Sequence, residues 1–271
     1  MKPIVLITGA SSGIGKETAK LLLQKGYTVY GAARKLDKMN DIQSLGAKIF
    51  SMDVSDDNSM CKGVDKIIQA EGQIDVLINN AGFGFFGAVE DVPVSDAKYQ
   101  MEVNVFGLAR LIQLVLPHMR RQHYGKIVNI SSVAGKICMP FGAWYHASKF
   151  AVEGLSDSLR MDVKPFGIDV IVIEPGSIKS EWGHIAMENL RKVSKGGAYE
   201  DMAQKMSNNF PKIEAKNAEP SVIANLILKA ITAKNPKTRY SGGYMAGVSL
   251  FGRKVFSDKM FDKIMMKMFQ V

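Results

Sequence analysis

Only two cysteines occur in the 271 residues, Cys61 and Cys138, and neither has a second ligand at metal-binding spacing. Disulfide scaffolds and a metal site are therefore not expected, and both residues read as reduced thiols of a cytoplasmic protein. No run of about 18 uninterrupted apolar residues occurs, which excludes a membrane-spanning helix. The opening Met-Lys-Pro leads straight into an apolar run without the pattern of a secretory leader, so the chain reads as unexported. It also lacks internal repeats and low-complexity linkers, and its length suits one α/β domain over residues 1–271. A net charge of +9 raises nucleic acid as a partner, but no nucleic-acid motif accompanies it.

What is present is alternation. Strand-like apolar runs fall near 3–8, 27–33, 47–52, 74–79, 126–131, 168–173 and 237–241, with helical patterns between most of them. Strands separated by helices form a parallel sheet, and right-handed crossovers make it a doubly wound α/β fold of about seven strands with helices on both faces. A helix over about 97–122 carries Val103, Phe106, Leu108, Leu111, Ile112, Val115 and Leu116, apolar enough to be buried around much of its circumference.

The first strand ends in Thr8 and runs into Gly9-Ala10-Ser11-Ser12-Gly13-Ile14-Gly15, followed by a helix that stops before Gly26. Strand, glycine-rich turn and helix in that order aim a helix N-terminus at an anion, and the glycines admit a pyrophosphate close to the backbone. Further on stand Tyr145 and Lys149, four apart and so on one helical face, where an ammonium beside a phenol would lower its pKa. Taken alone, such a pair is more often simple packing. Asn80, Ser132 and Pro175-Gly176 each follow an apolar strand, however, and open α/β sheets gather their function at the carboxyl ends of the strands.

Together these residues resemble the short-chain dehydrogenase/reductase family over at least residues 3–182: Thr8 to Gly15, Asp53-Val54, Asn79 to Gly82, Asn104, Ser132, the Tyr145 to Lys149 motif and Pro175-Gly176. Within the family the pattern is similar to retinol and hydroxysteroid dehydrogenases. The resemblance implies hydride transfer between a nicotinamide and a carbonyl or alcohol. Tyr145 would be the acid/base, Lys149 its partner and a ligand of the nicotinamide ribose, Ser132 the group on the substrate oxygen, and Asn104 the support of a water chain to Lys149. The thirteen-residue offset to the tyrosine selects Ser132 over Ser131. His146 reads as a surface or pocket-wall histidine. The dinucleotide would lie along Gly9, Ser11, Ser12, Gly13, Ile14 and Gly15, with Asp53 and Val54 at the adenine. Asn80, Ala81 and Gly82 would follow, then Pro175, Gly176, Ile178 and Ser180, the last standing where the family often has threonine. The resemblance also implies a homodimer or homotetramer joined through the helix at 97–122.

After the second strand the sequence reads Gly31-Ala32-Ala33-Arg34-Lys35, with no acid before Asp37. An acid there would accept from the ribose hydroxyls, whereas arginine pairs with a 2′-phosphate. NADP(H) is therefore expected over NAD(H), with Arg34 as its partner and Ser12 helping. Residues 177–220 include Trp182, His184, Met187, Leu190, Met202, Met206 and Phe210 and read as a lid. With Phe83, Phe85, Phe86, Met139, Phe141 and Trp144 they suggest an apolar pocket for a bulky, lipid-like substrate, a ketoacyl thioester being the alternative. An NADP(H)-sensing regulator without turnover is a further alternative, which the intact Ser132, Tyr145 and Lys149 disfavour. From Lys234 onward eight basic residues face Asp258 and Asp262. Within 250–271, a helix capped by Ser257 would align Phe256, Met260, Ile264 and Met268. Most amphipathic helices face a core, so this one is expected over the pocket or a neighbouring subunit, with a membrane surface as the lesser alternative.

Overall fold

The computed structural model describes residues 2–269; Met1, Gln270 and Val271, and with them the last two positions of the expected C-terminal helix, lie outside the described residues. Strands β1 (Ile4–Thr8), β2 (Thr28–Ala33), β3 (Lys48–Ser51), β4 (Val76–Asn79), β5 (Gly125–Ile130), β6 (Ile168–Pro175) and β7 (Arg239–Gly242) form one sheet. Their order is β3-β2-β1-β4-β5-β6-β7, and every pairing is parallel.

The continuous apolar runs are explained by burial on both faces. Ile4 and Leu6 of β1, with Leu77, Ile127 and Val170, meet Met60, Val64 and Ile67 of α3 (Asp57–Glu71) and Leu111 and Val115 of α5 (Leu108–Gln122). The alternate residues Val5 and Ile7, with Ile78, Val128 and Ile171, meet Ala19 and Leu22 of α1 (Gly13–Gln24) and Ile223 and Ile227 of α9 (Pro220–Thr232). A period of two along each strand thus divides the core into two helical layers. The winding direction reverses between β1 and β4, which opens a crevice at their carboxyl ends.

Two expected helices differ. The helix expected over 97–122 begins earlier, as α4 (Val94–Met101), widens into a π-helical turn at Glu102–Gly107 and resumes as α5. A π turn inserts one residue and shifts the helical phase, so Phe106, expected inside, is exposed. At Gly107 a Cβ would lie 2.0 Å from the carbonyl oxygen of Val54, so only glycine lets the helix pass this close to the loop after β3. The C-terminal segment is two helices, α10 (Ala246–Val255) and α11 (Asp258–Phe269). Phe256 is extended (φ −89°, ψ 143°) and breaks them apart, so it does not join the row of Met260, Ile264 and Met268. Within residues 177–220, α7 (Glu181–Ser194) packs on α8 (Glu200–Glu214).

Candidate active site

Thr8 builds the turn after β1. Its hydroxyl accepts from the amides of Asn80 and Ala81, both at 3.1 Å, while the Asn80 side chain donates to the carbonyls of Thr8 (3.0 Å) and Gly9 (3.1 Å). The turn's glycines have separate reasons. Gly9 and Gly13 adopt positive φ (66° and 53°), and a Cβ on Gly15 would stand 2.5 Å from the Gly9 carbonyl oxygen. Gly15 thus serves contact between helix and turn, whereas a Cβ on Gly13 would approach only Ser180, at 3.8 Å. Ser12 occupies the N-cap of α1 without a side-chain bond to the helix, and no acid stands in the first turn. Ser11 and Ile14 complete this arc, whose positive helix end suits a phosphate.

Around the crevice, Asp53 holds the amide (2.9 Å) and hydroxyl (2.7 Å) of Ser55 through one carboxylate oxygen, and Val54 is buried beneath the π turn. Arg34, exposed at the end of β2, donates to the Tyr99 hydroxyl at 2.9 Å. The Pro175 carbonyl accepts from Ser132, while Gly176 packs tightly against Tyr244. Ile178 is tied to Ala218 in a short bridge, and Ser180 caps α7 over Gly13.

Tyr145 lies in the first turn of α6 (Ala143–Val163), and Lys149 follows on the same face, its Nζ 5.8 Å from the centre of the tyrosine ring. Lys149 donates to the Ile130 carbonyl at 2.9 Å, and burial pulls its pKa down to about 8 against the upward pull of Glu153. The expected lowering of the phenol is not met: desolvation pushes Tyr145 up to about 12, opposed by a hydrogen bond with Ser132. The ammonium lies beside the ring and is spent on a carbonyl, whereas the hydroxyl is sheltered by apolar neighbours. Ser132 itself accepts from the Ala134 amide (3.1 Å) and donates to Pro175 (3.3 Å).

Asn104 sits on the π turn, buried, and accepts from the Phe83 amide (3.0 Å) while donating to the Phe83 carbonyl (2.8 Å) and the Ser148 hydroxyl (3.0 Å). Both amide hydrogens are therefore committed, and the side chain clamps the loop after β4, next to Gly82, onto α6. His146 is buried rather than at the surface, and it stands in the wall of a cavity beside Cys138, Met139, Phe141 and Phe150. Its Nε2 accepts from the Met139 amide and its Nδ1 bonds the Ala134 carbonyl, both at 3.0 Å, while burial lowers its pKa. A neutral imidazole pinning residues 134–139 to α6 explains this placement.

Around Tyr145 lies an apolar cluster: Trp182 of α7 at 4.9 Å between ring centres and Phe86 at 6.0 Å, with Met139, Phe141, Met187, Leu190, Met202, Met206 and Phe210. Phe83 packs into the main core instead, and His184 turns outward to Glu214. Residues not singled out in the sequence are Ser148, Tyr99 and Glu153. Only Glu153 carried a signal, standing four residues after Lys149 on one helical face.

The sequence of residues 3–190 matches the family model described as short chain dehydrogenase. The chain belongs to this family. As a short-chain dehydrogenase it is an oxidoreductase built on a nucleotide-binding Rossmann fold. It is 38% identical over 253 residues to a 3-ketodihydrosphingosine reductase of Bacteroides thetaiotaomicron, covering 92% of this chain and 91% of that protein. An NADPH-dependent 3-dehydrocapnine reductase of Ornithobacterium rhinotracheale is 32% identical over 277 residues, covering 97% and 95%. Among solved structures, a short-chain dehydrogenase from Streptomyces avermitilis superposes with a TM-score of 0.82 at 29% identity, covering all of this chain and 96% of that one.

Proposed function

We propose that this dehydrogenase is an NADP(H)-dependent reductase of a bulky, lipid-like ketone, with Tyr145 as proton donor. The observation that carries the reading is Tyr145, in hydrogen-bond contact with Ser132 and roofed by Trp182 and Phe86. A phenol held up at about 12 is protonated across the physiological range, and that is the form which carbonyl reduction consumes. Ser132 would hold the substrate oxygen against the phenol, and Lys149, titrating near 8, would resupply its proton. Asn104 and His146 act as positioning residues, fixing the loops on either side of α6.

The crevice fits a nicotinamide dinucleotide. An acid-free helix N-terminus, the open side of Gly13 and Ser180 suit its pyrophosphate, and Arg34 suits a 2′-phosphate. When bound, the cofactor supplies hydride to the carbonyl carbon. The lid residues exclude water from that transfer, and their apolar character supports a long-chain substrate, as do the names of the two relatives. Exposed Phe106, Phe150 and Met161, on the π turn and α6, support subunit pairing through that side.

The test is loss of NADPH absorbance with long-chain 3-ketones, ketosteroids, retinal and acetoacetyl thioesters, with NADH in parallel. Turnover of a long-chain or polycyclic carbonyl with NADPH is expected. Turnover confined to the short thioesters would reject the lipid-like substrate.

A further inference from the structure

The C-terminal helices each carry one row turned in and one apolar row turned out. On α10, Ala246, Ser249 and Gly252 face the protein, while Val248, Phe251 and Val255 are 64%, 68% and 58% exposed. On α11, Phe261 and Met265 pack on Ile137 and Val133, while Met260, Ile264 and Met268 stand outside at four-residue spacing. Single exposed apolar side chains are ordinary, but continuous rows on successive helices mark a surface that meets something apolar.

The charges beside these rows narrow what that is. Lys259, Lys263 and Lys267 each precede one residue of the outward α11 row, so they form a cationic strip along its flank. Arg253 and Lys254 extend the strip to the end of α10. Asp258 and Asp262 are the only acids on the two helices among the described residues, and Arg253 holds Asp258 at 2.8 Å. A second copy related by two-fold symmetry would bring the same cations against these, like against like. An apolar row flanked by lysines suits an anionic bilayer, where the row enters the acyl boundary and the lysine stems carry their ammoniums up to the phosphates.

We propose that α10 and α11 form a docking face for an anionic lipid membrane surface. The described helices are neither long nor apolar enough to cross one, so the contact is interfacial and reversible. Phe269, at the end of α11, packs both into the cluster under this helix and into the cluster around Tyr145 and Trp182. Docking therefore brings the candidate pocket to the lipid surface. That consequence rests on the lipid-like substrate proposed above, while the docking itself does not.

Co-sedimentation tests it, using the purified full chain with vesicles of phosphatidylcholine alone or mixed with phosphatidylglycerol. Binding to the mixed vesicles is expected, weakening as salt is raised and falling about tenfold or more in a Phe251→Asp, Ile264→Asp double variant. Because both positions are exposed, the variant should melt at the wild-type temperature, which separates lost docking from lost folding. Failure of the wild type to bind phosphatidylglycerol vesicles, or equal binding by the variant, would overturn the proposal. So would a wild-type dimer by light scattering that the double variant converts to monomer without any vesicle binding. None of these readouts depends on turnover, so the docking proposal and the catalytic one can fail separately.

Discussion

Lys149 and Tyr145 are shifted in opposite senses by one cause, since burial disfavours the charged form of each. For Lys149, the folded chain has released its proton above about 8, whereas an unfolded lysine keeps it to about 10.4. Between those values the unfolded state binds more protons, so stability rises with pH. The melting temperature of the wild type should therefore climb relative to Lys149→Met between about pH 8 and pH 10. Parallel curves would show that the ammonium is not desolvated. Arg34 offers a second residue-scale test. Loss of a charge-assisted bond is worth about 1.5–3 kcal/mol, so Arg34→Ala should raise KM for NADPH about tenfold or more while KM for NADH stays. Equal effects on both cofactors would remove Arg34 from the 2′-phosphate. At this scale motif and offset picked out Tyr145, Lys149, Ser132 and Asn104, which the fold brings together around the start of α6. Their electrostatics were not legible, because spacing says which residues share a face and nothing of how much water remains there.

Elements differ in how far their sequence foretells them. β1, β4 and β5 announced themselves because both their faces are buried, and α1 because a glycine-rich turn precedes it. The π turn at Glu102–Gly107 left no periodic signature, since one inserted residue is smaller than the irregularity of any helical pattern. The break at Phe256 was marked only by the expected cap Ser257, which announces the start of α11 but not the separate helix α10 before it. β7 was placed within two residues, but its anchoring was not foreseen. Arg239 reaches Glu153 (2.9 Å) and Asp157 (2.7 Å) on α6 and Glu174 (3.5 Å) on β6, and burial together with Glu153 raises the Glu174 carboxyl. Glu153 and Glu174 are buried, so removing their arginine leaves Glu174 without an ion-pair partner and Glu153 with Lys136 alone (3.0 Å). Arg239→Met should cost about 3–5 kcal/mol in denaturant unfolding. A cost below about 1 kcal/mol would show the cluster to be dispensable to the fold.

At the scale of the whole molecule, the alternation of strands and helices was sufficient to foresee a doubly wound parallel sheet, because right-handed crossovers leave few other topologies. The order β3-β2-β1-β4-β5-β6-β7 then places Thr8, Asn80, Ser132 and Pro175 around one crevice, although they are scattered along the chain. Residues 177–220 stood out as a long apolar-rich segment, but their two-helix packing did not, since α7 and α8 cluster with Phe86 and Tyr145 far away in sequence. This crevice is proposed to reduce carbonyls with the Tyr145 phenol as proton donor. That role is tested most directly by comparing wild type and Tyr145→Phe in NADPH turnover on the best long-chain ketone, with NADPH binding followed by fluorescence. Turnover is expected to fall by about 10²- to 10⁴-fold in the variant with NADPH binding intact. Turnover within a few-fold of wild type would contradict it.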